Sequence, residues 1–260
     1  MKQTALITGA SNGIGLELAR IHAKHGGDLV LVARSQDKLN QLADELRAQY
    51  HDIQITVIAQ DLAMPHAAQS VFAQTEQLGI QVDILINNAG FGGHGRFFER
   101  ELTKEQQMIQ LNITTLTELT HLYLQGMVAR RSGKILNVSS TASFMPGPLQ
   151  AVYYATKAYV TSFSQAVAEE VREFGISVTA LCPGAVATDF VAAGDLQGVA
   201  AWKNAKSAQS VAECGYQAML DGELVAFNEG KLKFTLEWVI PLLPRKTMLK
   251  ISRSVMEKSK

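Results

Sequence analysis

The sequence predicts an α/β fold: one doubly wound domain, a parallel sheet of about seven strands with helices on both faces. Three observations predict it. Short apolar runs of strand length recur along the chain and alternate with segments of helical periodicity. A glycine cluster sits between the first apolar run and the first helical segment. The 260 residues, 47% of them hydrophobic, show no linker or low-complexity stretch and can fill one large core covered on both sides.

Taken in order, residues 4–8 (Thr-Ala-Leu-Ile-Thr) form an apolar run of the kind found in fully buried parallel strands. Thr-Gly-Ala-Ser-Asn-Gly-Ile-Gly follows, with Gly9, Gly13 and Gly15 opening a helix over 14–25. Glycines there permit a tight bend and close backbone approach, and a helix N-terminus favours a pyrophosphate, so the turn reads as a dinucleotide site in a Rossmann-like fold. The second strand, 28–33, ends in Ala33-Arg34-Ser35. An acid at that point would hold the adenosine ribose of NAD. An arginine suits a 2′-phosphate, so NADP (as NADPH) is favoured over NAD, with Ser11 adding a hydroxyl.

The spacing predicts an amphipathic helix over 37–49, with Leu39, Leu42, Ala43 and Leu46 on one face, and a third strand over 53–59. A helix over 65–78 is expected to carry Pro65 in its first turn, and a fourth strand over 82–86 runs into Asn87-Asn88-Ala89-Gly90. Thr103 with Gln106 looks like a capping box for a helix to about residue 130, which holds Asn112, a poor helix former. Residues 134–139 form strand five and 176–181 strand six; between them, Val152, Ala155, Tyr159, Phe163, Ala166 and Val167 mark a helix from about 150 to 174. A helix over 210–220 and a strand over 224–227 complete the sheet.

The chemistry concentrates between strand five and its following helix. Ser139 and Ser140 close the strand, and Tyr153 and Lys157 lie four apart on one helix face. Lowering a tyrosine from its ordinary pKa near 10 by three units takes about 4 kcal/mol. An ammonium roughly 4 Å away, at an effective dielectric of about 20, supplies about that much. Tyr153 is therefore expected to act as a general acid or base with Lys157 depressing its pKa.

The serine, the Tyr-x-x-x-Lys pair and Thr-Gly-x-x-x-Gly-Ile-Gly together resemble the short-chain dehydrogenase/reductase family, over residues 1 to about 230. Ala33-Arg34-Ser35 with the apolar-then-basic ending is similar to its 3-oxoacyl reductase and hydroxysteroid dehydrogenase subgroup. The resemblance implies hydride transfer between a nicotinamide and a carbonyl or secondary alcohol, with a catalytic set of Asn112, Ser140, Tyr153 and Lys157. Ser140 rather than Ser139 has the family's 13-residue gap to Tyr153. For the cofactor it implies Gly9, Ser11, Asn12, Gly13, Ile14, Gly15, Arg34, Asp61 and Leu62 around the adenosine and pyrophosphate. Asn88, Ala89, Gly90, Tyr153, Lys157, Pro183, Gly184, Val186 and Thr188 serve the nicotinamide end. It also implies a substrate lid at about 189–208 and a homodimer or homotetramer. An NAD-dependent alcohol dehydrogenase and a non-catalytic dinucleotide sensor or scaffold stay open as alternatives.

A formal net charge of zero gives no reason to expect nucleic acid, and Cys182 and Cys214 form no metal-type pair. The N-terminus runs straight into the glycines, and no apolar stretch is long enough to span a membrane, so a cytoplasmic protein is expected. Phe97 and Phe98, with Trp238, Ile240, Leu242 and Leu243, are expected to border an apolar substrate crevice. From Arg245 to Lys260 basic and apolar residues interleave. That pattern suits a tail that closes the fold or, less favoured, one that touches an anionic membrane surface.

Overall fold

The computed structural model describes residues 2–202 and 204–258. Lys203, inside the expected lid, and Lys260, the last residue of the basic tail, fall outside that range.

The first βαβ unit is β1 (Thr4–Thr8), α1 (Gly13–Lys24) and β2 (Asp28–Ala33). Next come α2 (Gln36–Gln49), β3 (Ile55–Ala59), α3 (Ala67–Gln77) and β4 (Ile84–Asn87). All pairings are parallel and the strands lie in the order β3-β2-β1-β4. The chain reverses its direction of growth between β1 and β4. That reversal opens a crevice at the strands' carboxyl ends, the position at which open α/β sheets bind ligands.

The second half grows outward from β4 through α4 (Leu102–Ile109), α5 (Leu116–Arg130), β5 (Gly133–Val138), α6 (Ala151–Val171) and β6 (Ile176–Leu181). A small parallel pair, β7 (Val186–Ala187) with β8 (Lys206–Ser207), brackets α7 (Phe190–Ala193). Then α8 (Ala208–Asp221) leads to β9 (Val225–Ala226), which completes the expected seven-stranded sheet beside β6. The chain ends in α9 (Gly230–Phe234), a π-turn, a 3-10 turn and α10 (Arg245–Met256).

The strands point alternate residues to opposite faces, so two cores form. Ala5, Ile7, Leu29 and Leu31 meet α1, α2 and α8 on one side; Leu6, Val30, Val32 and Leu85 meet α3, α5 and α6 on the other. Strands buried on both faces are why these runs read as continuous rather than alternating.

Three local expectations are corrected. Pro65 precedes α3 rather than opening it: His66 takes a left-handed conformation (φ 60°), and the helix starts at Ala67. The Thr103/Gln106 capping box does not form, because α4 begins two residues earlier, at Leu102, with Glu101 at its N-cap and no side-chain cap. Half of the expected apolar stripe on α6 faces outward, with Ala155, Tyr159 and Ala166 exposed. Beside Val160 and Val167 the buried face carries Thr156, Lys157, Thr161 and Ser164. It can be buried because its hydroxyls are bonded: Thr161 Oγ1 meets Ser139 Oγ at 2.6 Å, and Ser164 Oγ accepts from Asn137 Nδ2 at 2.9 Å.

Candidate active site

A cleft of about 1160 Å³ runs along the carboxyl ends of the strands, from Arg34 at one end, past Gly13 and Tyr153, to Met256 at the other. Its first third is the turn after β1. Gly9 and Gly13 hold positive φ (66° and 57°), a setting that favours glycine. Gly15 serves packing instead: a Cβ there would lie 2.4 Å from both Gly9 O and Asn88 Nδ2. Of the expected cofactor residues it is the one that does not line the cleft. Asn88 Nδ2 donates to Thr8 O at 2.8 Å, and the Asn88 and Ala89 amides both donate to Thr8 Oγ1 at 3.0 Å, so the ends of β1 and β4 are tied into one rigid floor.

The N-terminus of α1 carries no side-chain cap and no acid in its first turn. Its amide dipoles are left for an anion, which fits a pyrophosphate. Arg34 lines the cleft above β2, exposed and without an ion pair among the described residues. Lys38, one turn into α2, lines the same end and was not singled out from the sequence. Its signal was legible as a second cation four residues after Arg34. Asp61 and Leu62 line the adjacent wall, where Asp61 also accepts from Ala63 N at 3.0 Å. Asn12 is turned to Asp189, with which its side chain hydrogen-bonds, joining the glycine turn to the start of the lid.

The middle of the cleft gathers Ser140, Tyr153 and Lys157, all buried. Lys157 Nζ donates to Val138 O at 2.8 Å and lies 5.8 Å from the centre of the Tyr153 ring. The two neighbouring serines separate cleanly. Both line the cleft, but Ser139 Oγ is committed, donating to Lys157 O at 3.0 Å against Thr161, so it anchors α6, whereas Ser140 Oγ lies beside the Tyr153 phenol. Of the two tyrosines, Tyr153 touches Ser140 and Tyr154 lies against Gly147 and Ser252.

Asn112 sits behind the cleft rather than in its lining. Its helix opens there into a π-turn, Gln110–Thr115, of the kind that often marks functional sites. The Asn112 side chain bonds both polar groups of Phe91, accepting from its N at 3.2 Å and donating to its O at 3.0 Å, and donates to Thr156 Oγ1 at 3.1 Å. A Cβ on Gly90 would lie 3.0 Å from Asn112 Oδ1 and 3.5 Å from Lys157 Nζ, so that glycine brings the two groups together.

The electrostatics correct the expectation that Lys157 depresses the Tyr153 pKa. Burial dominates and pushes the phenol well above its ordinary value, with Ser140 opposing, while burial pushes Lys157 down to about 8. Both shifts have one cause, the cost of charge in a dry site. The phenol is therefore held in its protonated form at neutral pH, the form from which a proton can be donated.

The far end of the cleft is a chamber walled by Met145, Phe190, Trp202, Leu236, Ile240 and Met256. Of the six residues expected to border it only Ile240 does: Phe97 (57% exposed), Phe98 (77%), Trp238 (67%) and Leu242 (83%) face outward, and the half-buried Leu243 does not line the cleft. The walls come instead from α7, the turn at Ala200–Trp202, and α10, whose Ser252 and Met256 are buried against Tyr154. The tail thus closes the fold. His94 bonds Met256 O at 2.8 Å, tying the end of α10 to the loop after β4, and Lys258, just past α10, pairs with Asp195 of the lid at 2.9 Å.

A sequence profile described as short chain dehydrogenase matches residues 3–197. Very-long-chain 3-oxoacyl-CoA reductase of Macaca fascicularis is 33% identical over 96% of this chain and 78% of its own. The human protein of that name is 37% identical over 71% of this chain, and the mouse 17-beta-hydroxysteroid dehydrogenase type 3 is 35% identical over 72%. The match spans about 59% of the human protein's length and 61% of the mouse protein's. Among solved structures, a short-chain dehydrogenase from Sphingobium yanoikuyae in complex with NADPH superposes with a TM-score of 0.83 at 31% identity, covering 89% of this chain and 90% of that one. A 7beta-hydroxysteroid dehydrogenase gives 0.86 at 26%, covering 96% of each chain. Sheet order, glycine turn and the Ser-Tyr-Lys cluster agree with these likenesses, and the chain belongs to the short-chain dehydrogenase family of oxidoreductases.

Proposed function

We propose that this protein is an NADPH-dependent reductase of ketones on bulky apolar molecules, acyl or steroid-like in character. The observation that carries the reading is the convergence, in one cleft, of Ser140, Tyr153 and Lys157 between a two-cation nucleotide end and an apolar chamber. The chemistry a bound nicotinamide dinucleotide supplies there is hydride donation to the carbonyl carbon. Arg34 and Lys38 would hold its 2′-phosphate, the Gly9–Gly15 turn its pyrophosphate, and Asn88 to Gly90 with Pro183 to Thr188 its nicotinamide end.

In this mechanism Tyr153 donates its proton to the carbonyl oxygen, and Ser140 hydrogen-bonds the same oxygen. Lys157, pushed down to about 8 by burial, still carries a proton at neutral pH and would hold the nicotinamide ribose. Asn112 positions Phe91 and Thr156 around that lysine. Oxidation of an alcohol with NAD would run the same proton step in reverse through the same residues; the two cations at the nucleotide end favour NADPH and, with it, reduction. A sensor or scaffold would need the nucleotide half alone.

Further parts of the proposal concern assembly and place. A homodimer or homotetramer would use the outward face of α6, where exposed Tyr159 stacks on Phe163. A cytoplasmic setting accords with two free cysteines, and among the described residues no helix is long and apolar enough to cross a membrane. The outer face of α10 exposes Lys246, Lys250 and Arg253 and is the part suited to an anionic membrane surface. The deciding experiment is NADPH consumption across ketones of rising chain length. Each buried methylene should improve kcat/KM by up to about 0.8 kcal/mol, roughly fourfold, until the chamber is full. A flat series, or preference for a hydrophilic ketone, sinks the apolar reading; no turnover with any carbonyl sinks the reductase.

A further inference from the structure

The α10 cations are one edge of a larger surface. Residues 231–260 carry eight Lys and Arg against two Glu, a net charge of +6 in a chain whose total is zero, so residues 1–230 carry −6. The molecule is therefore polarised, with its basic end in the segment from α9 to α10. Lys231, Lys233, Arg245, Lys246 and Lys250 are exposed and make no ion pair among the described residues. Of the two acids, Glu257 pairs with Arg253 at 3.0 Å and Glu237 is half-buried.

Between these cations stands an apolar ridge. From α9 through the π-turn to the 3-10 turn the chain stays helical, and its residues fall into two rows of four-residue steps. Leu232, Leu236 and Ile240 line the cleft. Phe234, Trp238 and Leu242, offset from them by two, are 62%, 67% and 83% exposed and line no part of it. One helical stretch is thus a chamber wall on the inside and an apolar ridge on the outside. On α10, Ile251 and Val255 are also four apart, and both are exposed while lining the cleft, so they mark its mouth. Large apolar side chains left together in water mark an interaction surface.

The chemistry of the partner follows from the combination. The ridge projects from the surface and encloses no groove, as suits insertion into a soft layer. Phe, Trp and Leu flanked by Lys and Arg is the composition that rests in a lipid headgroup layer, with Trp favouring that depth and long Lys stems reaching outward from it. Cations without partners call for anionic headgroups. We propose that the segment from Lys231 to Val255 docks the protein on an anionic lipid bilayer. Phe234, Trp238 and Leu242 enter the interfacial layer, and the five unpaired cations meet headgroup phosphates. Docked so, the mouth at Ile251 and Val255 lies beside the lipid, and an apolar substrate enters from the bilayer without crossing water. Delivery rests on the reading that the chamber takes an apolar ketone; docking does not.

The test is co-sedimentation with vesicles of phosphatidylglycerol and of phosphatidylcholine, followed by turnover of a ketone dissolved in each. The wild type should bind the phosphatidylglycerol vesicles alone, and less tightly as salt rises. Trp238→Ser with Leu242→Ser should weaken binding about tenfold or more, and Lys233→Gln with Lys246→Gln about fivefold for each cation removed. In a Trp202→Phe background Trp238 is the one tryptophan left, and its emission should shift to the blue on binding. The wild type should turn over the vesicle-borne ketone faster on phosphatidylglycerol. The ridge and lysine variants should lose that advantage and keep wild-type kcat/KM on a water-soluble ketone. No binding at low salt, or binding that survives both pairs of substitutions, overturns docking. An oligomer that Trp238→Ser with Leu242→Ser splits into monomers would show that a second copy covers the ridge, and overturns it too. Binding as expected with no advantage on vesicle-borne ketone overturns delivery. Binding as expected with no ketone turned over in any form overturns the reductase reading and keeps the docking surface.

Discussion

Lys157→Met is the perturbation whose outcome the structure predicts most sharply. Lys157 is 6% exposed, with Val138 O as its hydrogen-bond partner at 2.8 Å and no carboxylate paired with it among the described residues. Burial lowers its pKa from 10.5 to about 8. Between those values the unfolded chain binds a proton that the folded protein does not, so wild-type stability rises with pH across the window. Below pH 8 both states are protonated and the folded state carries the full cost of the buried charge. At about 1.36 kcal/mol per pH unit, the shift of roughly 2.5 units is worth about 3 kcal/mol at neutral pH. Methionine keeps most of the stem but leaves Val138 O without its donor, a loss of about 1–3 kcal/mol at any pH. Lys157→Met should therefore be as stable as wild type or up to about 2 kcal/mol more stable at pH 7, though inactive. By pH 9.5 that difference should have moved about 2 kcal/mol in favour of wild type. Urea unfolding of both proteins at pH 7 and pH 9.5 measures it. The window stops short of the phenols, whose raised pKa values make stability fall with pH above 10. A wild-type-to-mutant difference independent of pH would mean the lysine is not desolvated as the structure has it, and the reasoning from burial would fail.

Two further outcomes are expected. Tyr153→Phe should abolish most of kcat with NADPH affinity little changed, and Tyr154→Phe should retain turnover; substantial activity in the first would end the assignment of the proton donor. Arg34→Ala and Lys38→Ala should each weaken NADPH by about tenfold, the lower end of a charge-assisted hydrogen bond because both are exposed, and leave NADH nearly untouched. Fluorescence titration with the two cofactors checks this, and equal losses for both would show that neither cation reads the phosphate.

The doubly wound sheet was legible in the chain because strands buried on both faces must be continuous apolar runs, and Thr4–Thr8, Asp28–Ala33 and Ile176–Leu181 stand out as such. The glycine turn was legible for a local reason too: positive φ at Gly9 and Gly13 is a demand that residue type alone can answer. Tyr153 and Lys157 share a helix face by spacing, and Ser140 was separated from Ser139 by the resemblance before its side chain was located. What sequence could not reach are the quantities that depend on every neighbour at once. The buried face of α6 turned out to carry Lys157, Thr161 and Ser164 beside Val160 and Val167, because partners from β5 and the adjoining serine bond those hydroxyls, and no periodicity of apolar residues reveals partners. The direction of the Tyr153 shift followed burial rather than the nearby lysine, since desolvation is set by the closed fold and not by the i, i+4 spacing. The chamber walls came from α7, the Ala200–Trp202 turn and α10, between 37 and 103 residues past Tyr153 in the chain. Only the packing of the tail onto Tyr154 decided that Met256 would line the chamber and Trp238 would face solvent.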